Sequence, residues 1–169
     1  MFSDDSLFCI LSSCEKESSI CQITNNIYIY QLAGFDINFK YKLPFRNLTS
    51  LDLNQVITDV ISMGYLDETS NGIKLTILGE ELLKGFVGSQ AEFDYVNKIN
   101  KIRDSFSTDE LNFICLTNYI VSEVKEKYGV EGLISQKSKI KETLKRLSSV
   151  FSEENFNDAL SVLKEIRKW

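Results

Sequence analysis

Apolar side chains recur at the three- and four-residue spacing of a helix near the start of the chain. The first such stretch covers residues 3–15 and carries Leu7, Ile10, Leu11 and Cys14. A second stretch begins after Ser18 and Ser19, which can cap a helix, and ends at Gly34. The pattern predicts two helices, although residues 27–30 would also suit a strand.

Residues 36–45 change to the two-residue alternation of a strand. Its apolar positions are Ile37, Phe39, Tyr41, Leu43 and Phe45. Pro44 closes this segment, and the following loop offers Thr49 and Ser50 as caps for the next helix. We therefore predict a strand over residues 36–45.

A third helix and a hairpin follow. The helix is indicated by Leu53, Val56, Ile57, Val60 and Ile61, and it ends at Gly64. Residues 65–68 then face residues 73–76 across the turn dipeptide Asn71-Gly72. Thr76 is the predicted cap of a fourth helix.

The second half of the sequence predicts only helices. Candidate helices cover residues 91–105, residues 107 to about 127, residues 135–148 and a last segment that begins at Ser152. Ser107 and Glu110 have the spacing of a capping box, and Gly129 and Gly132 interrupt the pattern.

The order helix, helix, strand, helix, two-stranded hairpin, helix is that of a winged-helix module. We therefore predict an α+β protein that is mostly α. Residues 1–88 would form an N-terminal winged-helix domain, and residues 89–169 a C-terminal helical bundle packed on it. A chain of 169 residues can bury a sizeable core without disulfide or metal cross-links.

Composition narrows the chemistry that the chain can perform. It has no His, which removes the commonest general base and most zinc sites. The four cysteines, Cys9, Cys14, Cys21 and Cys115, lack metal-binding spacing and are predicted to be buried reduced thiols. There is no phosphate-binding glycine loop and no nucleophile–base pair. We expect a protein that is not an enzyme, with no catalytic residue, no cofactor and no metal site.

The distribution of charge argues against DNA binding by the first half of the chain. The chain has a formal charge of −5, and residues 1–90 hold 6 basic and 11 acidic side chains. The proposed recognition helix, within residues 49–63, contains Asp52 and Asp59 but no Lys or Arg. Because phosphate contacts need cations, this half is better suited to docking a protein.

One segment concentrates basic residues, namely Lys137, Lys139, Lys141, Lys145 and Arg146. On a helix Lys137, Lys141 and Lys145 share a face, which is a possible contact for DNA or for an acidic partner. The alternative is an exposed helix face that only keeps the protein in solution. The acidic N-terminus and the amide-rich uncharged run 18–35 match neither a secretory signal nor a membrane span, so we expect a cytoplasmic protein.

Five short segments carry a family resemblance. In chain order they are Leu7-Phe8-Cys9-Ile10-Leu11, Ile23 with Ile27-Tyr28-Ile29-Tyr30 after three intervening residues, Phe39-Lys40-Tyr41, Met63-Gly64-Tyr65-Leu66 and Lys74-Leu75-Thr76-Ile77-Leu78-Gly79. Through them, residues 5–85 resemble the winged-helix middle-component (YwgA-like) proteins of ABC-three-component, or Lamassu-type, bacterial anti-phage defence systems. Residues 44–50 depart from the Gly-Pro-Tyr-Ser-like turn that is usual before the third helix of these proteins.

The resemblance implies a function and partners. Such a protein would be a non-catalytic accessory or adaptor subunit that docks on an SMC- or Rad50-like ATPase beside a nuclease-type effector. It would meet DNA through the complex rather than alone. The alternative is a winged-helix DNA-binding transcriptional regulator or antitoxin.

Overall fold

The computed structural model describes residues 3–86, 97, 100–101 and 103–167. Over these residues the chain is mostly helical with one small sheet, which confirms the predicted α+β, mostly α class. The elements are α1 (Asp4–Ser13), α2 (Ile20–Leu32), α3 (Leu51–Ser62), β1 (Leu66–Glu68), β2 (Ile73–Leu75), α4 (Ile77–Phe86), α5 (Thr108–Ser135), α6 (Lys137–Leu147) and α7 (Glu153–Ile166). The candidate helix over residues 91–105 lies largely outside the described residues; of its described members, 97, 100–101 and 103–104 are helical and Ser105 lies in a turn.

Serine side chains define the starts of five helices. In each, the hydroxyl oxygen accepts a hydrogen bond from a first-turn backbone N–H that has no partner inside the helix. These caps are Ser3, Ser19, Ser50, Ser107 and Ser152. The predicted capping box of α5 is confirmed, because Glu110 accepts from the Ser107 backbone N–H at 2.8 Å. Residues 27–30 lie within α2, so they form a helix and not a strand.

The predicted strand over residues 36–45 is wrong, although the alternation behind it is real. Ile37 and Phe39 are buried, while residues 38 and 40 are exposed. Within the described chain this segment forms one isolated bridge, between Lys42 and Thr49. The side-chain amide of Gln31 in α2 takes the place of a partner strand, since it donates to the Phe39 carbonyl at 3.2 Å and accepts from the Phe39 N–H at 3.1 Å. The segment is thus an extended loop that buries alternate side chains.

The predicted hairpin is confirmed and joins neighbouring elements together. β1 and β2 pair antiparallel, and Ser18 between α1 and α2 exchanges two backbone hydrogen bonds of 2.9 Å with Ile73 of β2. Thr76 caps α4 by accepting from the Gly79 N–H at 3.1 Å. The same hydroxyl donates to the Gly64 carbonyl at 2.7 Å, so the start of α4 is fixed against the end of α3.

α5 consists of two helical segments that meet at a kink at Gly129. The φ of 69° and ψ of −171° of Gly129 are non-helical and belong to a region that only glycine adopts without strain. The predicted helix end near Lys127 is therefore confirmed, and a second helical segment follows the kink as far as Ser135. Among the described helices, α5 included, none combines the length and the apolar character needed to cross a membrane.

The buried side chains form two cores that share α5. The first core is built by α1, α2, the extended loop, α3, the hairpin and α4, together with Leu111 and Cys115 of α5 and Ile166 of α7. The second is built by the other side of α5 with α6 and α7, around Leu116, Leu144 and Phe156. Five partly buried side chains pack against both cores, namely Leu32, Leu43, Phe106, Tyr119 and Val162. The two predicted halves thus meet through shared apolar contacts.

Candidate functional site

α3 is the helix that the winged-helix prediction assigns to DNA binding, and its outer face is polar apart from the exposed Leu51. The helix buries Leu53, Ile57 and Val60 in the first core. Its exposed positions are Leu51, Asp52, Gln55, Thr58 and Ser62. α3 contains no Lys or Arg, so its outer face offers no cation to a phosphate.

The elements beside α3 add to its negative charge. From α3 to the end of α4, residues 51–86 hold six carboxylates and two lysines. One of these lysines, Lys74, lies directly opposite Asp67 in the hairpin register. Lys84, in the last turn of α4, complements the negative end of that helix. Residues 51–86 therefore carry a formal charge of −4.

Apolar side chains are exposed where α3 ends and α4 begins. The Thr76–Gly64 hydrogen bond holds the two segments side by side. Met63 is 55% exposed, Ile77 78% and Leu78 57%. Two exposed carboxylates follow on α4, three and four residues after Ile77, where helical side chains are neighbours. We call these five residues the acidic–apolar patch: Met63, Ile77, Leu78, Glu80 and Glu81.

α6 carries the predicted basic residues, and their side chains differ in burial and in contacts. Ile140 and Leu144 anchor the helix in the second core. Lys141 is half-buried, pairs with Glu153 of α7 and lies 5.5 Å from the centre of the Phe156 ring. The other predicted cations are exposed: Lys137, Lys139, Lys145 and Arg146. Lys141 is therefore engaged in a contact between α6 and α7, and the remaining four are accessible to a partner.

A polar cavity of about 220 Å³ lies between α2, the turn before it and the start of α5. Its polar side chains contact each other. Gln22 donates to the Thr108 hydroxyl at 3.0 Å, and Arg103 lies 3.6 Å from the Asp104 carboxylate. The Gln22–Thr108 hydrogen bond joins α2 to the start of α5, whereas Arg103 and Asp104 are neighbours in the chain.

A buried polar cluster that the sequence did not reveal also joins the two halves. The Asn118 side-chain amide of α5 donates to the Tyr28 hydroxyl of α2 at 2.7 Å. The Asn118 side-chain oxygen accepts from the Arg167 guanidinium after α7. Asn118 is 1% exposed, and its place among the apolar residues of α5 is the signal that could have indicated this cluster.

The cysteines match the prediction of reduced buried thiols at three of four positions. Cys9, Cys14 and Cys115 are buried, whereas Cys21 is partly exposed, and all four are free thiols. Burial raises the pKa of Cys14 to about 12 and raises the pKa of the Cys115 thiol well above its usual range. Over the described residues, no group of three or more Cys, Asp or Glu side chains is placed to hold a metal ion.

Comparison with known proteins gives no relative from which a function could be transferred. No protein-family model matches the chain, and neither curated protein sequences nor solved structures give a significant match.

Proposed function

We propose that residues 3–86 form a winged helix that docks a protein instead of reading DNA. The order α1, α2, α3, β1, β2, α4 supports this fold, as does the Ser18–Ile73 bridge, which adds a third extended segment beside the hairpin. The single observation that favours docking is the outer face of α3, which carries Asp52 and no cation. A helix that binds DNA needs positive charge on this face.

In this proposal the protein is a non-catalytic adaptor subunit of a bacterial anti-phage defence complex. It docks on an SMC- or Rad50-like ATPase in the cytoplasm, beside a nuclease-type effector. The identity of the complex rests on the resemblance of residues 5–85 to the middle-component proteins. The structure supports the adaptor role through its acidic surface over residues 51–86 and its exposed apolar side chains.

DNA would reach this subunit through α6. The exposed cations of α6 can neutralise phosphates of a duplex that the assembled complex holds. The same helix is the feature that favours the alternative function, a winged-helix DNA-binding regulator or antitoxin. The two functions differ in whether the isolated chain binds DNA.

Co-expression with the neighbouring genes of its operon tests the adaptor function. A tagged chain should retain the ATPase subunit through affinity and size-exclusion steps, and light scattering should give the mass of a mixed complex. The isolated chain should not bind duplex DNA below micromolar concentration at physiological salt. A monomer that captures no partner, but binds duplex DNA tightly and with a steep salt dependence, would establish the alternative.

The role of α6 is tested in the assembled complex with Lys137→Glu and Lys145→Glu together. Each lost phosphate contact should reduce the slope of log affinity against log salt by about 0.9. Lys141 is left unchanged because its pair with Glu153 is structural. The control is Lys125→Glu with Lys127→Glu on the exposed part of α5. Equal slopes of log affinity against log salt for both double variants would show that α6 does not contact the DNA.

A further inference from the structure

We propose that the acidic–apolar patch is the docking surface for a cationic amphipathic helix of the partner protein. This inference rests on the proposed adaptor function and specifies which surface docks and what chemistry it recognises. The patch joins three exposed apolar side chains to two carboxylates on adjoining backbone segments.

The apolar part of the patch includes two consecutive exposed side chains on α4. Ile77 and Leu78 are consecutive residues in the first turn of α4, and both are more than half exposed. A shallow depression of about 300 Å³ borders α4 at Glu80, Leu83 and Lys84, and Leu75 of β2 also lines it. Exposed apolar side chains give a partner helix a surface on which to bury its own apolar residues.

The charged part of the patch determines the sign of the charge that the partner must carry. Glu80 and Glu81 are exposed, and within the described part of the chain neither forms an ion pair. Glu15 adds a third carboxylate at the edge of the depression, and among the described residues that line it Lys84 is the one cation. A partner that places lysines or arginines around apolar residues would complement this arrangement, whereas DNA or an anionic membrane would be repelled.

The dimensions favour a helix as the bound element. α4 spans 10 residues, which corresponds to about 15 Å of helix axis. A partner helix of about three turns covers this length and presents apolar residues at three- and four-residue spacing, flanked by cations.

The test uses the full-length protein and a synthetic probe. The probe is a fluorescein-labelled peptide of 14 leucine and lysine residues at amphipathic helical spacing, and its counterpart carries glutamate in place of lysine. Fluorescence anisotropy at physiological salt should show binding of the lysine peptide and not of the glutamate peptide. Ile77→Ser should weaken binding about tenfold, because it removes apolar area that the peptide covers.

Matched control variants distinguish binding of the peptide at the patch from nonspecific attraction of the peptide to the protein surface. Ile134→Ser replaces an isoleucine that is 77% exposed on α5, outside the patch, and should leave the affinity unchanged. Glu81→Lys should weaken binding at least threefold, whereas Glu126→Lys on α5 should not. Unchanged circular dichroism and thermal midpoints verify that the variants are folded.

Three results would overturn the inference. They are absence of binding by the lysine peptide, equal effects of Ile77→Ser and Ile134→Ser, and a dimer of the chain that Ile77→Ser dissociates. Failure of the inference is distinguishable from failure of the adaptor function. If the co-expressed complex forms and Ile77→Ser leaves it intact, only the assignment of the surface is wrong.

Discussion

Two alanine substitutions in α4 should have opposite effects on stability. At Gly79 an added Cβ would lie 2.1 Å from the Tyr65 carbonyl oxygen and 3.1 Å from the Leu75 side chain. At Gly85, six residues later in the same helix, an added Cβ would meet no atom within 4 Å. The close approach at Gly79 holds the start of α4, and with it Ile77 of the acidic–apolar patch, against the hairpin.

The expected changes in the free energy of unfolding combine a gain in helix propensity with a steric cost. Replacing glycine by alanine inside a helix gains about 0.5–1 kcal/mol, and exposed Gly85 should show this gain alone. At Gly79 the contact with backbone atoms forces α4 away from Tyr65, and overpacking of this kind costs about 1–3 kcal/mol or more. The two variants should therefore differ by about 1–3 kcal/mol in their free energy of unfolding, with Gly79→Ala the less stable.

Urea unfolding followed by far-ultraviolet circular dichroism measures this difference. Both variants should unfold with the same dependence on urea as the parent protein, so that the midpoints report stability directly. Equal stabilisation by Gly79→Ala and Gly85→Ala would refute the packing of α4 against Tyr65 that the structure shows.

Three further predictions concern other parts of the molecule. Tyr28→Phe should lower the free energy of unfolding by about 1–3 kcal/mol, because it leaves the buried Asn118 amide without its acceptor; a loss below about 0.5 kcal/mol in urea unfolding would contradict the cluster. Hydrogen bonds from Ser107 lower the pKa of Glu110 in the folded protein. The ionised Glu110 carboxylate therefore contributes its full stabilisation above the pKa that it has in the unfolded chain, and this contribution is lost as pH falls through its pKa in the folded protein. The parent protein should therefore lose stability relative to Glu110→Gln between about pH 5 and pH 3, whereas urea midpoints that change in parallel would argue against this linkage. Alkylation of the native protein, read by mass spectrometry, should modify Cys21 first and Cys115 only on unfolding, and early labelling of Cys115 would mean that the core opens.

Local signals in the sequence predicted the helices well, because their starts depend on neighbouring residues. Ser107 and Glu110 form the capping box that their spacing indicates, and Asn71-Gly72 lies in the loop of the hairpin. A cap or a tight turn is satisfied within four residues, so the sequence alone contains the information needed.

The prediction of a strand over residues 36–45 failed because strand pairing is a long-range property. The alternation of Ile37 and Phe39 with polar residues correctly indicated an extended backbone with one buried side. The partner of that backbone is the Gln31 side chain, eight residues before Phe39, and no periodicity indicates such a contact.

The candidate surfaces were predictable only in part, for the same reason. The lack of cations in α3 and the basic character of α6 follow from composition. The pairing of Lys141 with Glu153 depends on how α6 packs against α7, and the patch depends on how Met63 and Ile77 are brought together. These contacts arise from tertiary packing, which a one-dimensional pattern does not contain.

Hydrogen exchange on the free chain and on the complex purified with its co-expressed partners tests the central claim most directly. The account predicts slower exchange in the complex for the backbone amides from the end of α3 into α4, residues 59–84, while the exposed part of α5 after Val121 is unchanged. A complex whose protection is confined to α6, or that leaves residues 59–84 exchanging as in the free chain, would contradict it.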